Sequence, residues 1–262
     1  MLRRCLIAGN WKMHKTISDS VALARAISEG MADAEGLEVD MVICPPFTAL
    51  SAVADAIKGT PVGLGAQNVY WEEKGAFTGE IAPVMLQDIG CQYVIVGHSE
   101  RRQFFGETDQ TVNRRANAAL KAGLVPIICV GETLQQREAG NTDQVVKTQV
   151  QGAYAGIEPQ AAMSTIIAYE PVWAIGTGKA SNGPDADRVS GLIRSEIAGL
   201  MGEEVARQIR ILYGGSVKPE NMAEFASQKN IDGALVGGAS LDAQSFLGIV
   251  ANAAKASADK TE

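Results

Sequence analysis

Short runs of apolar residues alternate along this chain with longer segments in which apolar side chains recur at helical spacing. Eight such runs follow one another about every 32 residues, at 5–9, 39–44, 61–66, 93–97, 125–130, 165–169, 210–213 and 233–236. Several are apolar throughout rather than alternating, which marks strands covered on both faces, as in a parallel sheet. Between them, Val189, Leu192, Ile193, Ile197 and Leu200 share one face at a 3.6-residue period, with Asp185 and Asp187 near the positive N-terminal end. Val112, Ala116, Ala119 and Leu120 repeat the pattern after Asp109. Eight strand-plus-helix units in 262 residues predict an α/β fold, a (β/α)₈ barrel of eight parallel strands with surrounding helices, as one domain over residues 1–262. A doubly wound open sheet shares the periodicity and is the alternative. Linkers and low-complexity segments are absent from the sequence apart from a polar tail after Lys255.

Composition narrows the function classes. With 46% hydrophobic and 20% charged residues, the chain has the make-up of an ordinary globular protein. A net charge of −7 without a basic run argues against nucleic-acid binding, which relies on clustered cations. Cys5, Cys44, Cys91 and Cys129 are widely spaced, with no C-x-x-C, so neither a disulfide framework nor a zinc knuckle is indicated. The apolar run behind the basic residues Arg3 and Arg4 stops at Asn10, too early for an export signal. No apolar stretch reaches the roughly 18 residues that span a bilayer. These features predict a cytoplasmic protein with no membrane or nucleic-acid partner.

In such a barrel, catalytic groups collect at the C-terminal ends of the strands. The first run ends in Asn10-Trp11-Lys12, the fourth in Gly97-His98-Ser99-Glu100-Arg101-Arg102, the sixth in Glu170, the seventh in Gly214-Gly215-Ser216 and the eighth in Gly237-Gly238. Each has a plain structural reading when taken singly: Glu170 as a helix-capping or ion-paired carboxylate, His98 as a hydrogen-bonded core residue, Lys12 as a surface charge, and the glycine pairs as tight turns. Together they make an anion site beside an acid or base. Glu170 heads a Gly-rich segment that nevertheless carries Val172, Trp173 and Ile175, which suits a general base under an apolar lid. His98, before a helix start at Ser99, is expected as a neutral hydrogen-bond donor with its cation disfavoured. Lys12 supplies a cation, with Asn10 either orienting it or serving as a turn residue. The glycine pairs open backbone N–H groups to a phosphate. Glu100 is a candidate ion-pair partner of Lys12 or a secondary proton carrier, Cys129 reads as core packing and His14 as solvated. Gly176-Thr177-Gly178-Lys179 is not a nucleotide P-loop, because Trp173 stands where that motif needs glycine and Ala180 where it needs Ser or Thr. No cluster has metal-ligand spacing.

The segments 8–13, 75–80, 96–102, 169–179, 213–216 and 233–241 together resemble the triosephosphate isomerases along essentially the whole chain. The resemblance implies a (β/α)₈ barrel, no cofactor, and interconversion of dihydroxyacetone phosphate and D-glyceraldehyde 3-phosphate, a small phosphorylated triose pair. It implies Glu170 as base, His98 as electrophile and Lys12 as substrate-binding cation, with Asn10, Gly176, Ser216, Gly237 and Gly238 as substrate-binding positions. Segment 75–80 resembles the family's dimer loop, so that Phe77 and Thr78 would meet a partner subunit in a homodimer. A Schiff-base aldolase on the same fold would need a lysine within a strand run, and a non-catalytic scaffold would be expected to have lost Lys12, His98 or Glu170.

Overall fold

The computed structural model describes residues 3–32, 38–175, 181–258 and 260. Its strands are β1 (Cys5–Asn10), β2 (Val39–Cys44), β3 (Val62–Ala66), β4 (Tyr93–Val96), β5 (Val125–Val130), β6 (Ile166–Tyr169), β7 (Arg210–Tyr213) and β8 (Gly233–Val236). All are parallel, and each pairs with its neighbours in chain order. Pairing of β1 with β8, from Leu6 opposite Gly233 to Gly9 opposite Val236, closes the sheet into a barrel and rules out the open alternative.

Strand composition explains the closure. Alternate residues point inward, so Leu6, Ala8, Val42, Ile95, Ile127, Cys129, Ile166, Ala168, Leu212 and Leu235 fill the barrel as a buried cluster. Residues of opposite parity, among them Ile7, Ile43, Val94, Val96, Ile128, Ile167 and Ile211, pack outward against the helices. Both faces are therefore dry, and the strands read as unbroken apolar runs.

The strand limits differ from the sequence reading by a residue at several ends. Thr165 belongs to the preceding turn, its N–H and hydroxyl both donating to Ala162 O. Gly97 leaves β4 by adopting φ +70°, whereas Asn10 extends β1 by pairing with Cys44. Both predicted helices form. Gly183–Met201 is capped by Asn182, and Asp109–Lys121 by a reciprocal pair of Thr108 and Thr111 hydrogen bonds. Val189, Ile193 and Ile197 are buried, but Leu192 is only half-buried and Leu200 is exposed. Periodicity identifies the inward face of a helix, not where the sheet beneath it stops.

The four cysteines are free and buried, and burial pushes the Cys91 thiol up to about 12. Among the described residues no helix is long and apolar enough to cross a membrane.

Candidate active site

Glu170 is the first residue past β6, tied to the barrel by its N–H donating to Val130 O at 2.8 Å. It is buried, at 2% exposure, and glycines make room for it. A Cβ on Gly131 would collide with the Glu170 carbonyl, and one on Gly214 would lie 2.8 Å from Glu170 Cγ. The carboxylate accepts the Ser99 N–H on Oε2 at 2.9 Å, while Oε1 lies 2.9 Å from His98 Nε2.

His98 is the N-cap of the helix Ser99–Phe104, and its Nδ1 accepts the Glu100 N–H at 3.2 Å. That bond leaves the ring proton on Nε2, facing Glu170. Two influences oppose each other on the ring. Burial favours its neutral form, but the Glu170 carboxylate outweighs burial and raises the His98 pKa above the ordinary 6.5. The expected disfavouring of the cation is thus reversed while Glu170 lies beside the ring. The converse holds for Glu170: burial pushes its carboxyl up, yet His98, the Ser99 amide and Lys12 together bring it below 4.5.

Lys12 reaches the same place from β1. Its backbone has φ +50°, an uncommon conformation for a residue with a side chain, and two partners hold it there. Asn10 Oδ1 accepts the Lys12 N–H at 3.0 Å, and Gln67 Nε2 donates to Lys12 O at 2.8 Å and Cys44 O at 2.9 Å. The ammonium lies 2.6 Å from Glu100 Oε1, so Glu100 is the ion-pair partner of Lys12. A Cβ on Gly237 would come within 3.3 Å of Lys12 Cε, whereas one on Gly238 would meet nothing within 4 Å.

These groups line one cavity of about 870 Å³, bounded by Asn10, Lys12, His98, Glu170, Ser216 and the Gly237-Gly238 turn. His14, expected to be solvated, is exposed at the same cavity. Gly176 lies outside the described residues. Phe77 and Thr78 stand apart from the cavity on an exposed loop, 72–80. That loop is rooted by Tyr70 stacked on Trp71 at 4.1 Å and tilted against Phe77 at 4.8 Å.

Sequence reasoning missed two supporting residues. Gln67 follows β3 directly, and Glu132 stands two residues past β5. Glu132 is completely buried and accepts Trp173 Nε1–H at 2.8 Å and the Tyr169 hydroxyl at 3.1 Å. It thereby anchors the start of the segment that follows Glu170.

A family model described as Triosephosphate isomerase matches residues 5–253. The chain belongs to the triosephosphate isomerase family. It is 53% identical over 249 residues to the triosephosphate isomerase of Chloroflexus aurantiacus, covering 95% of this chain and 99% of that one. Those of Rhodopirellula baltica and Moorella thermoacetica are 54% and 55% identical, each covering 95% of this chain and 98% of theirs. All segments that carried the resemblance lie within the matched span. Past the undescribed residues 176–180, Ser181-Asn182-Gly183 leads into the helix Gly183–Met201. Ser181 Oγ donates to Asp185 Oδ2 at 3.0 Å, Asn182 caps, and the Gly183 N–H donates to Glu224 Oε1 at 2.6 Å.

Proposed function

We propose that this member of the triosephosphate isomerase family interconverts dihydroxyacetone phosphate and D-glyceraldehyde 3-phosphate in the cavity at the C-terminal end of its barrel. The observation that carries this reading is the convergence of a buried carboxylate, an Nε2–H imidazole and a lysine from β6, β4 and β1 on one cavity walled by glycine backbone.

Chemistry assigns the roles. Glu170 takes the C1 proton of the ketone. The C–H electron pair becomes the C1–C2 double bond, and the carbonyl pair moves onto O2 as an enediolate oxygen. His98 Nε2–H and the Lys12 ammonium stabilise that oxygen. The O1 proton then passes to O2, and Glu170 returns its proton to C2, leaving an aldehyde at C1. The carboxylate must leave His98 and Ser99 to do this. Its departure raises its basicity, since the contacts that lower its pKa are those it abandons, and burial and the Glu100 amide then hold His98 neutral. The phosphate is bound by backbone N–H groups at Ser216, Gly237 and Gly238, with Gly176 contributing from the lid. Its binding energy positions the reacting carbons. The segment from Pro171 through Lys179 acts as that lid and excludes water from an intermediate that otherwise expels its phosphate.

A Schiff-base aldolase is disfavoured because, among the described residues, no strand contains lysine. The working form in this reading is a cytoplasmic homodimer of single-domain barrels, with Thr78 against the partner subunit's site. A coupled assay on D-glyceraldehyde 3-phosphate tests the function directly. Glu170→Ala is expected to lower turnover by several orders of magnitude with the fold intact, and unchanged turnover removes the base assignment.

A further inference from the structure

The β4–β5 ladder ends at Val96 opposite Ile128. Beyond it Gly97 turns out of the sheet with φ +70°, so Cys129 has no register partner on β4. One guanidinium takes the carbonyls of both. Arg102 donates from Nε to Gly97 O at 2.9 Å and from Nη2 to Cys129 O at 3.2 Å, while Nη1 meets Asp109 Oδ1 at 2.6 Å. Its side chain is 17% exposed, and Asp109 is itself packed so closely that a Cβ on Gly152 would lie 2.7 Å from Asp109 Cβ.

We propose that Arg102 is a positioning residue for the reaction, a planar clamp that joins the ends of β4 and β5 past their last rung and aims His98 and the Ser99 N–H at the same point. It rests on the isomerase reading above.

The geometry of the clamp supports this directly. The Gly97–His98 peptide sets the direction in which the imidazole leaves the chain, and Arg102 Nε holds its carbonyl. The Arg102 backbone N–H also donates to His98 O, at 3.0 Å, so one residue grips the carbonyls on both sides of His98. The amide that follows, Ser99 N–H, is the one on which the Glu170 carboxylate rests. Through Cys129 O the same guanidinium fixes the end of β5, whose Val130 O accepts the Glu170 N–H. Electrophile and base are thus referred to a single rigid fork. Lysine offers a compact charge at this place but not two divergent donors in one plane.

The phosphate-binding positions are on other strands, so loss of the clamp affects the chemical step and not substrate binding. In the full-length enzyme, Arg102→Lys is expected to lower kcat by about 10–100-fold, the scale of a small misplacement of reacting groups. KM is expected to stay within about twofold, and the His98 imidazole nitrogen resonances to move. Asp109→Asn, which leaves the guanidinium in place, shifts kcat in the same direction by less. Arg102→Ala is partly rescued by millimolar guanidinium, far below denaturing concentration. The proposal is overturned if Arg102→Lys keeps wild-type kcat, if KM rises in step with the loss, or if His98 resonances are unchanged in a folded variant. Absence of isomerase activity in the unmodified protein instead removes the reading on which the proposal rests.

Discussion

Glu170 and His98 shift each other's pKa against the effect of burial, the carboxyl downward and the imidazole upward. For Glu170 the folded pKa is lowered, so its contribution to stability is complete above the ordinary 4.5 and is lost as pH falls through the lowered value. For His98 the folded pKa is raised, so its contribution is complete below 6.5 and is lost as pH rises through the raised value. The pair therefore stabilises the fold most between those two pH values. Glu170→Gln removes the charge but keeps the volume. Burial is then opposed by Glu100 alone, and the His98 pKa is expected to fall in an NMR titration of its ring nitrogens. The stability difference from the unmodified protein, followed by denaturant unfolding across pH, is expected to be largest in the same interval. A difference that does not vary with pH contradicts the coupling. Residue types and strand-end positions made His98, Lys12 and Glu170 legible in the sequence. Their mutual contact, which reverses the expected charge preference of His98, was not, because it joins residues 72 positions apart and is settled only by how β4 and β6 lie in the barrel.

At the scale of elements, local chemistry sets most of the boundaries. Thr108 and Thr111 cap the helix Asp109–Lys121, and Asn182 caps Gly183–Met201 by accepting the Asp185 N–H at 2.8 Å. The second helix begins where the segment after Glu170 ends, so its cap fixes one side of the proposed lid. Asn182→Ala is expected to cost about 1 kcal/mol of stability, the usual value of an N-cap, read as a lower denaturation midpoint at unchanged slope. A midpoint equal to that of the unmodified protein shows that the Gly183–Glu224 and Ser181–Asp185 bonds fix the helix start by themselves. The cap was not recognised from sequence. Asn-Gly-Pro reads equally as a turn, and only the helix behind it decides between the two. Gln67 and Glu132 were missed for a related reason. A single glutamine or glutamate past a strand carries no pattern, and its partners, Lys12 O and Trp173 Nε1, come from other elements.

At the scale of the whole molecule, exposed apolar side chains include Met13 at 95%, Phe104 at 68%, Phe105 at 67%, Met85 at 47% and Phe77, on loop 72–80, at 40%. Together with the resemblance of 75–80 to a dimer loop, exposure of Phe77 supports the proposed homodimer. Thr78→Arg places a charge where the partner would pack. It is expected to yield monomers with weak activity by analytical ultracentrifugation and coupled assay. An intact dimer contradicts the placement of Thr78 at the interface.

What the sequence determined by itself was the repeating unit. Unbroken apolar runs specify strands dry on both faces, and their alternation with helical periods specifies parallel connection, so the number of strands and most of their limits followed from residue order. Residue types at the strand ends likewise announced a carboxylate, an imidazole and a cation. Tertiary structure decided the rest, because closure of β1 onto β8 brings together residues far apart in the chain. Only in the folded barrel do Lys12 and Gly237 line one cavity, does Glu100 pair with Lys12, and does one Arg102 guanidinium reach both Gly97 O and Cys129 O. Distances of a few ångströms between separate strands shift the pKa of His98 and of Glu170, and one-dimensional spacing does not encode them.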